Sequence, residues 1–259
     1  MHILSINGSH RGEKGWTHAL LNRIKSGAES AGASFGRVTL AKVKINRCLG
    51  CRKCQTTEQH LECVYADKDD AAAIFEQMKA ADLLIFATPI YMMTLSGLIK
   101  TLFDRLYSTM DVNDMRLSSH GLIHHHINPA ISSKPFVSLI CWSNLESASA
   151  ANAAHYFRTY ARFMEAPHVG ELLRNGTPLL DYDRDHPDQT RFPRIHRVYE
   201  AYEQAGCELA ARGRISGVTQ RQANQELISI PAFGLLKRFV PIKRIVIRET
   251  LKVFETDAR

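Results

Sequence analysis

Three nearly unbroken apolar runs mark the chain, at Ile3–Ile6, Leu83–Ala87 and Phe136–Trp142. Short apolar runs bounded by turn residues read as strands buried on both faces. Asn7-Gly8 ends the first run and Thr88-Pro89 the second, both turn pairs. Phe35 to Val43 reads as a further strand and His168 to Leu173 as a short last one. Between the runs the apolar positions change to helical spacing. A first helix is predicted over Thr17 to Ala31, with Thr17 as its N-cap and Gly32 as its stop. A short Ala-rich helix follows over Asp69 to Ala80, capped by Asp69, with Ile74, Phe75 and Met78 apolar. Ser96 caps a helix from Gly97 to Tyr107 whose Leu98, Leu102 and Leu106 share one face. Longer helices are predicted over Glu146 to Met164 and Arg194 to Arg212. Residues 108–133 are polar and are expected to form an irregular excursion.

Strands alternating with helices imply parallel pairing through right-handed crossovers. Five strands with about five helices fit an α/β, three-layer, doubly wound sheet. Such sheets hold ligands beyond the carboxyl ends of their strands. Three loops fall there: Gly8 to Trp16, Thr88 to Met93, and the stretch after Cys141. The first is rich in hydroxyl, Gly and basic residues and runs into a helix N-terminus, where unpaired N–H groups and a partial positive charge favour a phosphate. Ser9 and Thr17 can donate hydroxyls there and Arg11 can supply charge. The loop matches neither the Gly-x-Gly-x-x-Gly dinucleotide pattern nor the Gly-x4-Gly-Lys-Ser/Thr nucleotide loop. Tyr91, Met92 and Trp142 would give a flat apolar surface suited to an aromatic ring, or would only pack the rim of the sheet.

Composition narrows the class. The 259 residues are 45% hydrophobic and 23% charged, ordinary for a globular protein. The chain starts in a strand, without a charged leader and long apolar run, and no apolar run reaches bilayer length, so a cytoplasmic protein is expected. A net charge of +7 suits an anionic partner. The basic residues are scattered, however, and no nucleic-acid-binding signature accompanies them, so no nucleic-acid partner is expected.

Gly8-Ser9-His10-Arg11 with Gly15 and Thr17 resembles the phosphate loop of the flavodoxin-like NAD(P)H-dependent FMN reductases. Asp82 to Tyr91, continuing through Ser96 to Lys100 and Phe103-Asp104-Arg105, resembles their second flavin loop. Cys51 through Asp70 is similar to the iron–sulfur flavoproteins of the same group. The resemblance covers about residues 1–170 and implies a flavodoxin-like sheet of order 2-1-3-4-5 with FMN at its carboxyl edge. By position, Ser9, Arg11 and Thr17 would hold the phosphate; Pro89, Ile90, Tyr91 and Met92 would contact the isoalloxazine; Trp142 and Ser143 would form a third wall. One departure is a phosphate loop a residue longer than the family pattern between Arg11 and Gly15. No protein nucleophile or general base is expected, because the cofactor carries the chemistry. NAD(P)H would be the electron donor.

Cys48, Cys51, Cys54 and Cys63 form Cys-x2-Cys-x2-Cys-x8-Cys. Four thiolates so close suit a 4Fe–4S cluster, suit structural zinc, or stand as free thiols. The iron–sulfur flavoproteins carry a similar motif with a shorter final gap. Cys141 and Cys207 are isolated and read as packed small residues. His124-His125-His126 reads as a solvated loop, because adjacent side chains point apart. Asp181, Asp183, Asp185 and Asp188 lack the Gly and final Glu of a calcium loop and read as charged surface.

The first 215 residues are expected to form the FMN domain, and residues 216–259 an apolar, basic helical extension. That extension would wrap a second subunit of a dimer or tetramer, cover its own domain, or lie on an anionic membrane. Three functions fit the whole: an FMN-dependent NAD(P)H oxidoreductase acting on a small molecule (a quinone or nitro compound among them) or a protein, with or without a cluster; a flavodoxin-type electron carrier that does not use NAD(P)H; and a zinc-stabilised interaction module.

Overall fold

The computed structural model describes residues 1–181, 194–228, 233–236, 238–245 and 247–248. Five parallel strands make the central sheet: β1 (His2–Asn7), β2 (Ser34–Thr39), β3 (Leu83–Pro89), β6 (Phe136–Cys141) and β7 (His168–Arg174), in the order β2-β1-β3-β6-β7. The two numbers skipped belong to an antiparallel hairpin, β4 (Met110–Leu117) and β5 (Ile123–Ile127), which lies outside this sheet. Without it the order is the expected 2-1-3-4-5, a flavodoxin-like fold.

Burial follows the apolar runs. Every residue of β6 is buried, as are the first six of β3. One core lies between the sheet and α2 (Ala71–Ala80), α3 (Gly97–Arg105) and α4 (Ala151–Phe163), around Phe86, Phe136 and Phe157. The other lies under α1 (Trp16–Ser30) and the helix Arg194–Arg212, around Ile24, Val198 and Tyr202. Those two helices touch backbone to backbone. A Cβ on Gly27 would lie 1.8 Å from the Glu203 carbonyl oxygen, and one on Gly206 2.0 Å from that of Ile24.

Several boundaries differ from the sequence expectation. The first helix starts at Trp16 with Gly15 at the N-cap, so Thr17 lies inside its first turn and caps nothing. Gly15 is required there, because a Cβ would approach the Ser9 hydroxyl to 2.6 Å. The second strand stops at Thr39 and a 3-10 turn takes Leu40–Lys42, since Leu40 leaves the edge to join the core. Asp69 precedes α2 by two residues; its carboxylate accepts from the Ala71 N–H at 3.2 Å but chiefly serves an ion pair described below. Ser96 caps α3 as expected, accepting from the Ile99 N–H at 3.3 Å. The Glu146–Met164 helix opens as a 3-10 turn over Ser147–Ala150.

The excursion expected to be irregular is the β4–β5 hairpin. His124, His125 and His126 lie in β5, half-buried, and are not a solvated loop. In a strand they alternate sides, so His124 and His126 share one face and His125 takes the other. Residues from 215 onward pack back on the domain: Ile215, Ala223 and Leu227 are buried in the second core, and the Asn224 side chain accepts from the Leu173 N–H on edge strand β7. Farther on, Leu235, Phe239, Val240, Ile245 and Ile247 are exposed. Asp183, Asp185, Asp188, Ile230-Pro231 and Val246 lie outside the described residues. Among the described residues no helix is long and apolar enough to cross a membrane.

Candidate functional site

Parallel register brings the carboxyl ends of β1, β3 and β6 side by side, with Asn7 opposite Ala87 and Pro89 opposite Cys141. The three loops therefore leave one edge together. The first is built by Asn7, which the sequence reading did not single out. Its buried side chain accepts from the Ser9 N–H at 3.1 Å and donates to the Gly12 carbonyl at 3.3 Å. Ser9, only 3% exposed, accepts from the Arg11 N–H at 3.3 Å. A polar residue closing an apolar strand was the available signal for Asn7. Trp16 and Thr17 occupy the first turn of α1, and their N–H groups carry no backbone hydrogen bond among the described residues. Arg11 is exposed, its guanidinium 4.7 Å from the Trp16 ring centroid. Thr17 is buried beside the Cys141 thiol. Burial pushes that thiol up to about 12, with the Thr17 hydroxyl and Arg174 charge opposing, so Cys141 stays protonated and packed.

The second loop is a two-residue turn. Tyr91 and Thr94 exchange N–H···O bonds of 3.2 and 3.3 Å, and between them Met92 and Met93 adopt φ of 46° and 65°. Two consecutive left-handed residues are what such a turn needs, yet neither is Gly or Asn. Each costs roughly 1–2 kcal/mol in that region. Met92 is 92% exposed, so nothing it packs against compensates. The Asn152 amide holds the turn by donating to the Met93 carbonyl at 3.1 Å, and the Ile90 N–H bonds the Cys141 carbonyl at 2.8 Å. Tyr91 and His10 bring the first two loops together, with ring centroids 5.3 Å apart. Pro89 and Ile90 are half-buried beneath them.

Trp142 does not join this surface. It is 6% exposed within the first core, and its indole N–H donates to the Glu146 carbonyl at 3.1 Å. Ser143 and Asn144 take the exposed positions of the third loop. The edge thus gathers Ser9, Arg11, Thr17, Pro89, Ile90, Tyr91, Met92 and Ser143, while Trp142 supports the loop from inside.

The four cysteines all line one small cavity, with Arg52, Tyr65, Arg105 and Tyr107. Left-handed backbone at Gly50, Arg52 and Leu61 turns the chain around it. Among the described residues no three side chains stand close enough to hold a metal ion as they are. Burial, with the Cys63 and Cys51 charges beside it, raises the Cys54 thiol against a hydrogen bond from Gln55. Arg105 was named in the sequence only as part of a motif. It is 2% exposed, pairs with the fully buried Asp69 carboxylate, and donates to the Asn46 carbonyl at 3.0 Å. Burial works against the ionised form of Asp69. The Arg105 guanidinium and the Asn46 and Ala71 N–H groups outweigh it and hold the acid below the usual carboxylate range. The Arg105 Nε–H is buried without a partner. A buried donor left that way costs roughly 1–3 kcal/mol.

An anion-ready helix N-terminus and exposed aromatic and thioether side chains, at the carboxyl edge of a flavodoxin-like sheet, are features that a nucleotide-type cofactor site on an α/β scaffold uses. The model of the NADPH-dependent FMN reductase family matches residues 1–171, and the chain belongs to that family. It is similar to an iron–sulfur flavoprotein of Methanocaldococcus jannaschii, 31% identical over 113 residues that cover 44% of this chain and 54% of that protein. One from Archaeoglobus fulgidus is 32% identical over 105 residues, 40% of this chain and 48% of the relative. The chain spans about half the length of the curated relatives it matches. Among solved structures, an FMN-dependent NADH-azoreductase from Bacillus anthracis str. Ames Ancestor, in complex with FMN, superposes with a TM-score of 0.60 at 12% identity, covering 81% of this chain and 99% of that one. An azoreductase from Bacillus anthracis str. Sterne gives 0.53 at 16% identity over 81% and 98%. At those identities the likeness shows the fold.

Proposed function

We propose that the protein is an FMN-dependent NAD(P)H oxidoreductase that passes electrons through its flavin to a small-molecule or protein acceptor. The observation that carries this reading is the meeting of the Ser9–Thr17 loop with the strained Tyr91–Thr94 turn at one sheet edge. Bound there, FMN supplies acceptance of a hydride from the nicotinamide and release of electrons singly or in pairs. The residues fit it. The free N–H groups of Trp16 and Thr17, with the Ser9 hydroxyl and the Arg11 charge, make an acceptor-poor, positive pocket for a phosphate. Thr17, buried beside Cys141, contributes its N–H. Pro89, Ile90, Tyr91 and Met92 would line one side of the flavin ring, and Ser143 would close the rim. With FMN bound, the Tyr91–Met93 tip would shield part of the ring from water.

The cysteine cavity supports a 4Fe–4S centre as a single-electron outlet. Four thiols line one pocket, and Arg105, whose Nε–H is buried and unpaired, stands in its wall. The relatives named iron–sulfur flavoproteins favour the same occupant.

Anaerobic purification followed by a visible spectrum and iron, sulfide and zinc analysis tests both parts. Flavin bands that bleach on adding NADH or NADPH are expected, with a broad shoulder and stoichiometric iron. Flavin that does not bleach would mean a carrier fed by another protein. Stoichiometric zinc without flavin would sink the oxidoreductase reading.

A further inference from the structure

Arg105 stands at the far end of α3 from the flavin loops. The helix opens at Ser96, whose backbone N–H donates to the Thr88 hydroxyl at 3.0 Å, and it closes in the wall of the cysteine cavity. Nine residues place those ends roughly 14 Å apart. Everything about Arg105 fixes its orientation. Asp69 takes one terminal nitrogen, the Asn46 carbonyl takes the same nitrogen at 3.0 Å, and the Tyr65 ring centroid lies 5.4 Å from its carbon. Asp69 is itself fixed by the N–H groups of Asn46 and Ala71. A guanidinium held so firmly still leaves its Nε–H without an acceptor among the described residues. Native proteins rarely bury a charged group's donor unpaired, and the cysteine cavity that Arg105 lines offers a place for the missing partner.

We propose that Arg105 is a positioning residue for the sulfur centre of this cavity: its Nε–H donates a hydrogen bond to a thiolate or sulfide held by Cys48, Cys51, Cys54 and Cys63, and Asp69 aims it. This rests on the iron–sulfur reading above. The function of the bond is electrical. A donor to sulfur stabilises the more negative, reduced form of a centre and raises its reduction potential. Because Asp69 cancels the charge of the guanidinium, the effect comes from one directed N–H and not from a general positive field. Asp69 and Arg105 lie 36 residues apart in sequence. Their pairing also ties the end of the cysteine segment to the helix that leads from the flavin loop.

The test compares wild type with the Arg105→Met/Asp69→Asn double variant, which removes the donor and its counter-charge together and leaves no buried charge alone. Both are purified anaerobically, loaded with iron and sulfide, and reduced stepwise in a spectroelectrochemical cell. The expected result is a midpoint potential shifted to more negative values in the variant, with iron per chain and FMN content equal to wild type. If the double variant does not fold, Arg105→Lys keeps the charge opposite Asp69 without the guanidine Nε–H and is expected to show the same shift. A potential equal to wild type in a fully loaded variant overturns the role of Arg105 and leaves the cluster reading standing. A wild-type protein that takes up no iron or sulfide overturns both.

Discussion

The turn at Met92 and Met93 gives the sharpest test of stored strain at the site. Replacing the pair with Asn and Gly (Met92→Asn/Met93→Gly) supplies residues that tolerate the observed φ of 46° and 65°. The relief is roughly 2–4 kcal/mol if both methionines bear the left-handed penalty in full. Against it, glycine loses about 0.5–1 kcal/mol of extra backbone entropy on folding. Met93 is 54% exposed and gives up about 1 kcal/mol of the apolar contact it makes, whereas Met92, at 92% exposure, gives up almost none. The net is about 1 kcal/mol of added stability, or about 2–4 °C in melting temperature for a domain of this size. Thermal unfolding of flavin-free protein measures it. FMN affinity of the same variant should fall, because the Met92 thioether is lost from the turn proposed to contact the ring. A variant that melts at or below the wild-type temperature refutes the idea that strain is held at this turn for function.

Gly15→Val should lower FMN affinity at least tenfold in equilibrium titration, because its Cβ would displace the Ser9 hydroxyl that lies 2.6 Å from that point. Asp69→Asn alone should destabilise by about 3–5 kcal/mol in urea unfolding, since it strands Arg105 as a buried charge. Because the folded-state pKa of Asp69 is held below its unfolded value, its contribution is present above the usual carboxylate range and is lost as pH falls through the folded-state value. Acid titration of stability should therefore be flatter in Asp69→Asn than in wild type; equal slopes would remove Asp69 from the balance. Gly27→Val should cost about 1–3 kcal/mol, as overpacking against the Glu203 backbone separates α1 from the Arg194–Arg212 helix.

The parts of the fold that burial dictates were legible in the chain. The runs Leu83–Ala87 and Phe136–Cys141 are strands because they are covered on both faces, and only strands of that kind need no polar alternation. The Arg194–Arg212 helix was legible end to end because its apolar spacing is regular. The β4–β5 hairpin was not, because both its faces are partly exposed and its alternation is blurred by Asp, Asn and His. Its one local signal was Gly121, at φ 73° in the turn closed by the Ser118 and Leu122 backbones. Of the candidate site, the phosphate loop and the Tyr91 turn were readable as motifs, but which atoms face outward was not. Thr17 is buried beside Cys141, and Trp142 fills the core, choices made by tertiary packing that no local pattern encodes. The Arg105–Asp69 pair was invisible for the same reason, joining two charged residues that each look like ordinary helix-end surface.

The central claim is that the loop from Ser9 to Thr17 is a phosphate site for a flavin. Equilibrium titration of flavin-free protein with FMN, followed by flavin fluorescence and repeated with riboflavin, which lacks the phosphate, tests it most directly. One FMN per chain, bound at least a hundredfold more tightly than riboflavin and more weakly as salt is added, is the predicted result. Equal affinity for the two flavins, or no binding of either, would contradict it.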